Sequence, residues 1–347
     1  QYCINNYVIK FTIRKIFMKI FITGSEGFFG SHLTEFLIKK GYNVTALIQY
    51  NSFHNYGWLE ELKRLKKKKV NFLFGDVRDS SFIFDATKNH DVIINLAALI
   101  SIPYSYNSVK SFLDTNLIGM YNILEASKKN HVKQLIHTST SEVYGTAMYS
   151  PIDEKHPLQP QSPYSASKIA ADNLALSYYY SYNLPVTILR PFNMFGPRQS
   201  TRAIIPTIIT QVLKKDTIEL GNLNVSRDFN FATDIAEGYQ KSILNNKTIG
   251  QTINLGSGLE IKIVELIDMI KKISKRKFKL KIKFHRIRPK NSEVFRLIAS
   301  NEKALKILNW KPKFSTRANL KKALKITYDW YKNPKNLKNF YTDDYNL

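Results

Sequence analysis

Short, continuous apolar runs alternate with longer amphipathic stretches through the first half of the chain. Lys19 to Thr23 (K-I-F-I-T) is the first such run and stops at Gly24, as a strand covered on both faces should. A helical pattern runs from about Phe29 to Lys40 and ends at Gly41, a residue suited to the turn that closes a helix. Further strands are expected at Val44–Ile48, Val70–Phe74, Asp91–Leu96, Gln134–Ser139 and Val186–Leu189, with helix-like stretches between most of them. Strands alternating with helices predict an α/β chain with a doubly wound parallel sheet. Right-handed crossovers then put every strand's C-terminal end on one edge, where open sheets of this kind bind ligands.

The texture changes after Pro191. Helices are expected near Pro206–Leu213, Ile263–Ile273, Ala304–Leu308 and Ala318–Tyr331, with Asn301 as an N-cap and Asn309 in a left-handed turn. Residues 191–332 therefore read as a smaller substrate-binding part, with 228–255 returning to the large sheet formed by 18–190. Residues 1–17 read as an extension upstream of a natural start at Met18, and 333–347 as a tail.

With 347 residues and 44% hydrophobic content, the chain can bury a substantial core. Cys3 is the lone cysteine, so no internal disulfide is expected and a reducing cytoplasm is the expected compartment. The sequence offers no apolar run of about 20 residues, so no membrane span is expected. The net charge of +25 invites a nucleic-acid reading, but Lys66–Lys69 is read as an isolated tight run amid dispersed basic residues. Without interleaved stacking aromatics, that run lacks what a nucleic-acid groove requires. Anionic small ligands are the expected partners.

The chemistry begins at Thr23-Gly24-Ser25-Glu26-Gly27-Phe28-Phe29-Gly30, a G-x-x-G-x-x-G between strand and helix. The first glycine allows the tight turn, the second lets backbone approach a pyrophosphate, and the third lets helix pack on strand. This makes the large domain a Rossmann-type one. Gly24, Gly27, Phe28, Phe29 and Gly30 are its expected cofactor contacts, joined by Asp76, Val77, Leu96, Ala97, Ala98 and Asn116. The second strand ends in Gln49-Tyr50-Asn51-Ser52, with neither the carboxylate that holds an adenosine ribose nor an arginine for a 2′-phosphate. The missing arginine favours NAD.

Ser139-Thr140-Ser141-Glu142 is followed by Tyr164 and, four residues on, Lys168. Residues four apart share a helix face, about 6 Å apart along the axis. The ammonium is expected to stabilise a phenolate and bring the tyrosine toward the range of a general base. The histidines lack metal-ligand spacing, so no metal is expected.

Together T-G-S-E-G-F-F-G, N-L-A-A, S-T-S-E-V-Y-G, S-P-Y-S-A-S-K and R-P-F-N-M-F-G-P-R resemble the extended short-chain dehydrogenase/reductases acting on nucleotide sugars. The likeness covers nearly all of residues 18–332. Longer stretches, Tyr50-Asn51-Ser52-Phe53 with Gly57-Trp58-Leu59, Ala97 to Tyr106, and Pro197 to Thr210, resemble the NAD-dependent 4,6-dehydratases of nucleotide-linked N-acetylglucosamine in legionaminic acid synthesis. The resemblance implies that Tyr164 takes the proton of the sugar's 4-hydroxyl, with Lys168 on the nicotinamide ribose and Thr140 on the 4-oxygen. Glu142 would take the proton from carbon 5, and Ser141 stands where many dehydratases carry the aspartate that expels water. Asn193, Arg202, Arg227 and Arg296 match positions that contact the nucleotide diphosphate, and relatives are commonly homodimers. Phe195, where tyrosine is usual, is expected to change packing alone. A 4-epimerase or glucuronate decarboxylase of the same fold, and a non-catalytic nucleotide- or RNA-binding protein, stay open as alternatives. The nucleotide base is not legible.

Overall fold

Each apolar run forms a strand whose side chains divide between two cores, because successive residues of a strand face opposite ways. The computed structural model describes residues 18–64, 70–338 and 340. The expected extension before Met18, the Lys66–Lys69 run, and residues 339 and 341–347 of the expected tail lie outside the described residues. Strands β1 (Lys19–Thr23), β2 (Asn43–Gln49), β3 (Val70–Gly75), β4 (Val92–Asn95), β5 (Gln134–Thr138), β6 (Val186–Pro191) and a later strand (Gln251–Leu255) form one sheet in the order β3-β2-β1-β4-β5-β6-later strand. Every pairing in it is parallel. The order reverses between β1 and β4, and ligands of open α/β sheets bind outside such a switch point.

One face carries Ile20, Ile22, Val92, Ile94 and Ile136 against Leu33 and Leu37 of helix α1 (Phe28–Lys39). The opposite face carries Phe21, Ile93, Leu135, Val186 and Ile188 against a helix at Gly119–Lys129 and a long helix at Pro163–Tyr182. The glycine turn works largely as expected. Gly24 has φ +63°, and a Cβ on Gly30 would lie 2.1 Å from the Gly24 carbonyl oxygen. Gly27 has room for a side chain, 3.5 Å from its nearest neighbour; it caps α1 without a side-chain hydrogen bond, so the first-turn N–H groups stay available to an anion.

The smaller part has its own core, in which Ile205, Ile208 and Ile209 meet Leu266, Ile267, Leu324 and Tyr328. These come from the expected helices, observed at Ile204–Lys214, Ile263–Ser274 and Arg317–Lys332. Phe195 is fully buried against Phe229 and Phe231. Two local expectations need correction. Asn301 stands at the N-cap of Glu302–Leu308, but its side chain makes no capping bond. Of 228–255, Gln251–Leu255 joins the large sheet and Ala232–Ser242 packs on its face, whereas Ser226–Asp228 pairs with Glu260–Lys262 and Arg296–Leu297 in a small sheet of its own. Asn309 does adopt the left-handed conformation, with φ 46°.

Asp228 ties the loop after Gln251–Leu255 to the small sheet. Its buried carboxylate accepts from Ser257 N, Gly258 N and Ala299 N at 3.0, 2.9 and 3.2 Å. Asp228→Ala would leave those backbone donors unmatched, each at a cost of about 1–3 kcal/mol. Urea denaturation of the variant should show a loss of roughly 3 kcal/mol or more; a midpoint equal to wild type would show that the clasp contributes nothing.

Candidate active site

Above the β1/β4 switch point lies a cavity of about 810 Å³. The large sheet supplies Gly24, Gly27, Phe28, Phe29, Gly30, Asp76, Val77, Leu96, Ala97 and Ala98 to its walls. The smaller part supplies Asn193, Arg202, Arg227 and Arg288. Thr140, Ser141, Glu142, Tyr164 and Lys168 line the floor between them. The sequence scattered these residues over more than 260 positions; the edge of one sheet collects them.

The long helix that carries Tyr164 starts where its sequence dictates. Ser162 and Ser165 close a reciprocal cap, with Ser165 N donating to Ser162 Oγ at 3.1 Å and Ser162 N to Ser165 Oγ at 3.0 Å. Pro163 sits at the first helical position. Tyr164 and Lys168 therefore emerge in the first turns, and both are buried. Lys168 Nζ donates to the Thr138 carbonyl at 2.6 Å, at the very end of β5. Thr140 begins a short turn, Ser141–Tyr144, and its hydroxyl accepts from Glu142 N at 3.2 Å. That turn points the Glu142 carboxylate into the cavity, where Arg288 Nη1 stands 3.8 Å away.

Charge behaves differently here from the expectation for the tyrosine. Burial pushes the Tyr164 phenol well above its ordinary value; the Thr140 hydroxyl opposes this and the negative charge of Glu142 adds to it. Lys168 exerts no such pull because its ammonium is turned to the Thr138 carbonyl. Burial has in turn brought Lys168 down to about 8, against the attraction of Asp172. Beneath it, burial pushes Asp172 upward, but Arg190, His137 and Ser139 prevail and hold the carboxyl down at about 2. Ser139 Oγ donates to Asp172 at 2.7 Å, and Arg190 donates twice, at 2.9 and 3.1 Å.

The residues fit a dinucleotide. The α1 N-terminus is uncapped beside Gly27, Gly24 and Gly30 hold the turn where a Cβ would clash, and Lys168 lies buried at the floor. Among the described residues no group of three potential metal-ligating side chains gathers, and no helix is long and apolar enough to cross a membrane.

Two expected site residues stand elsewhere. Asn116 is buried outside the cavity, with its amide committed to Leu99 N, Leu99 O and Ser167 Oγ at 2.9–3.0 Å; it fastens the loop after β4 to the long helix. Arg296 is half exposed and forms two bonds to Glu260, at 3.0 and 2.6 Å, across the central strand Ser226–Asp228 that both of their strands flank. Arg288, which by sequence reads as one of several dispersed arginines that singly suit a surface ion pair better than a ligand, lines the cavity. Its context, Arg286-Ile287-Arg288, carries positive charge but no motif. Glu26, Thr115 and Trp58 also line the cavity; Glu26 was hidden inside the glycine motif as a variable position.

The profile of the GDP-mannose 4,6 dehydratase family matches residues 21–323. A dTDP-D-glucose 4,6-dehydratase of Dictyostelium discoideum is 35% identical over 277 residues, 74% of this chain and 62% of that protein, so the alignment spans somewhat less than two thirds of that relative. A putative UDP-glucose 4-epimerase of Methanocaldococcus jannaschii is 32% identical over 90% of this chain and 98% of its own length. The crystal structure of DesIV, a dTDP-glucose 4,6-dehydratase from Streptomyces venezuelae with NAD bound, superposes with a TM-score of 0.83 at 27% identity, covering 92% of this chain and 98% of that one. NAD is thus the cofactor of the group into which this sheet, glycine turn and Tyr164–Lys168 pair fall. The chain belongs to the GDP-mannose 4,6 dehydratase family, among the NAD-dependent dehydratases and epimerases of nucleotide sugars with the extended short-chain dehydrogenase/reductase fold.

Proposed function

We propose that the chain is a 4,6-dehydratase of a nucleoside-diphosphate N-acetylglucosamine, forming the 4-keto-6-deoxy sugar, and that it serves legionaminic acid or a related surface glycan. The observation that carries this reading is the shared cavity of Tyr164, Thr140 and Glu142, with the Glu142 side chain only 12% exposed. A carboxylate at Glu142 has no task in a 4-epimerase, whose chemistry ends at carbon 4. The cations Arg202, Arg227 and Arg288, with Asn193, suit a nucleotide diphosphate, since guanidinium matches phosphate in geometry as well as charge.

When bound, NAD supplies the acceptor that takes hydride from carbon 4 and returns it to carbon 6, and its positive ring favours a neighbouring phenolate. The α1 N-terminus and Lys168 would hold it. Tyr164 receives the proton of the 4-hydroxyl while Thr140 keeps the oxygen in place. The 4-ketone makes the hydrogen on carbon 5 acidic, and Glu142 takes it as a proton. Hydroxide cannot leave carbon 6 unaided, so Glu142 hands that same proton to the departing oxygen and water is lost. Ser141 orients the 6-hydroxyl. An epimerase or decarboxylase is the second reading, favoured by serine rather than aspartate at 141 and by the epimerase relative. We place the enzyme in the cytoplasm and infer a homodimer through the exposed Val109, Leu113, Ile118 and Tyr121.

Turnover of UDP- and GDP-N-acetylglucosamine in deuterated water tests the reaction. The expected product has lost its 6-hydroxyl and carries deuterium at carbon 5; a product that keeps the hydroxyl rejects dehydration. Tyr164→Phe should lower turnover by about 10²–10⁴-fold. Glu142→Gln should still form reduced cofactor, seen by its absorbance, yet release no water; full activity would remove the carboxylate from the mechanism. The pH profile tests Lys168. With its pKa down at about 8, the ammonium is present below that pH and lost above it. Turnover should therefore fall above about pH 8, and Lys168→Arg should carry any residual activity to higher pH, because guanidinium keeps its charge.

A further inference from the structure

The end of β2 lacks the acidic residue that ordinarily grips the adenosine ribose of NAD, yet a carboxylate is there. Glu26, from the middle of the glycine turn, reaches across the sheet edge, and its Oε1 accepts from the backbone N–H of Gln49 at 3.0 Å. Gln49 is the last residue of β2. The other oxygen, Oε2, is buried and has no partner, and Glu26 lines the cavity beside Gly57, Trp58 and Asp76.

The Glu26 backbone is held there by the segment after β2. Trp58 N donates to Glu26 O at 3.1 Å, and Gly57, with φ +55°, presses so close that a Cβ on it would lie 2.8 Å from the Glu26 Cβ. A buried carboxylate oxygen without a donor is costly, and the expense is explained if a ligand brings the donor. No hydrogen bond or ion pair from a cation reaches Glu26 among the described residues. Beside the Asp76 that shares this wall of the cavity, Arg78 spends Nε and Nη2 on the Asp76 carboxylate, at 2.9 and 2.6 Å, so its guanidinium is already paired with a carboxylate.

We propose that Glu26 is the ribose-binding carboxylate of this enzyme, delivered from the glycine turn instead of the end of β2, and that it selects NAD over NADP. Its free oxygen accepts from a hydroxyl of the adenosine ribose, as an acidic residue at the strand end does in other dinucleotide folds. A 2′-phosphate in the same place would bring negative charge against negative charge and lose the donor.

The test is nucleotide binding, independent of turnover. Glu26→Gln keeps a carbonyl oxygen for the Gln49 N–H while removing the charge, so its melting temperature should match wild type. Titration of nucleotide-freed protein, followed by calorimetry, should show NAD binding weakened about 10-fold or more, the range of a hydrogen bond to a charged group. NADP binding should not weaken, and the preference for NAD should narrow. If Glu26→Gln binds both nucleotides as wild type does, the carboxylate is a structural strut and the proposal falls. Wild-type protein gives a second arm that needs no variant. NAD lacking the 2′-hydroxyl and NAD lacking the 3′-hydroxyl are titrated in turn, and at least one should bind about 10-fold more weakly than NAD. Equal affinity for all three would overturn the proposal even if the variant failed to fold. Neither failure bears on the dehydratase reading, which rests on Glu142 and the sugar end of the cavity.

Discussion

The buried carboxylate of Asp172 is the constraint on which the site depends. Tyr164, Lys168 and Asp172 are spaced by four residues on one helix, so they form a single stripe facing the sheet. Asp172 is almost wholly buried and takes donors from Arg190 on β6 and Ser139 just beyond β5. Arg190 continues the chain of contacts to the Tyr144 hydroxyl at 3.0 Å, and Tyr144 donates to Asn254 at 2.7 Å. Helix, two strands and the turn that carries Glu142 are thereby locked in one register. Removing one partner of a buried ion pair leaves an uncompensated charge, at about 3–5 kcal/mol.

That lock fixes where the charges of the cavity stand. Lys168 is held against the Thr138 carbonyl, and its burial lowers its hold on a proton. Tyr164 is buried in apolar surroundings, with Phe112 against its ring, and its proton is correspondingly hard to remove. Bound NAD would add the positive charge that favours a phenolate, which the lysine, turned to a carbonyl, does not supply.

The two cores divide the labour. The large parallel sheet presents backbone and helix N-terminus to the pyrophosphate, chemistry that depends on glycine geometry more than on side-chain charge. The smaller part contributes the cations, and its attachment through Asp228 to Ser257, Gly258 and Ala299 brings them over the floor. Glu142 lies where the two meet, with Arg288 from one side and Tyr164 from the other.

The sequence alone determined the strands, the glycine turn, the stripe of Tyr164 and Lys168, and the place of Glu142 just past a strand end. Each rests on neighbours a few residues apart: an apolar run, glycines spaced by three, a tyrosine and a lysine four apart. Only the tertiary structure decided that Arg288 and not Arg296 faces the cavity, since Arg296 was claimed by Glu260 from the far edge of the small sheet, a neighbour that pattern could not assign to it. The same holds for Asn116, spent on the Leu99 backbone, and for Lys168, drawn to a carbonyl rather than to the phenol four residues earlier. Helical spacing puts two groups on one face, but burial and competing acceptors settle which one a charge serves. Glu26 is the clearest case: a carboxylate reaches the end of β2 through space, from a place in the chain where no reading along β2 would look for it.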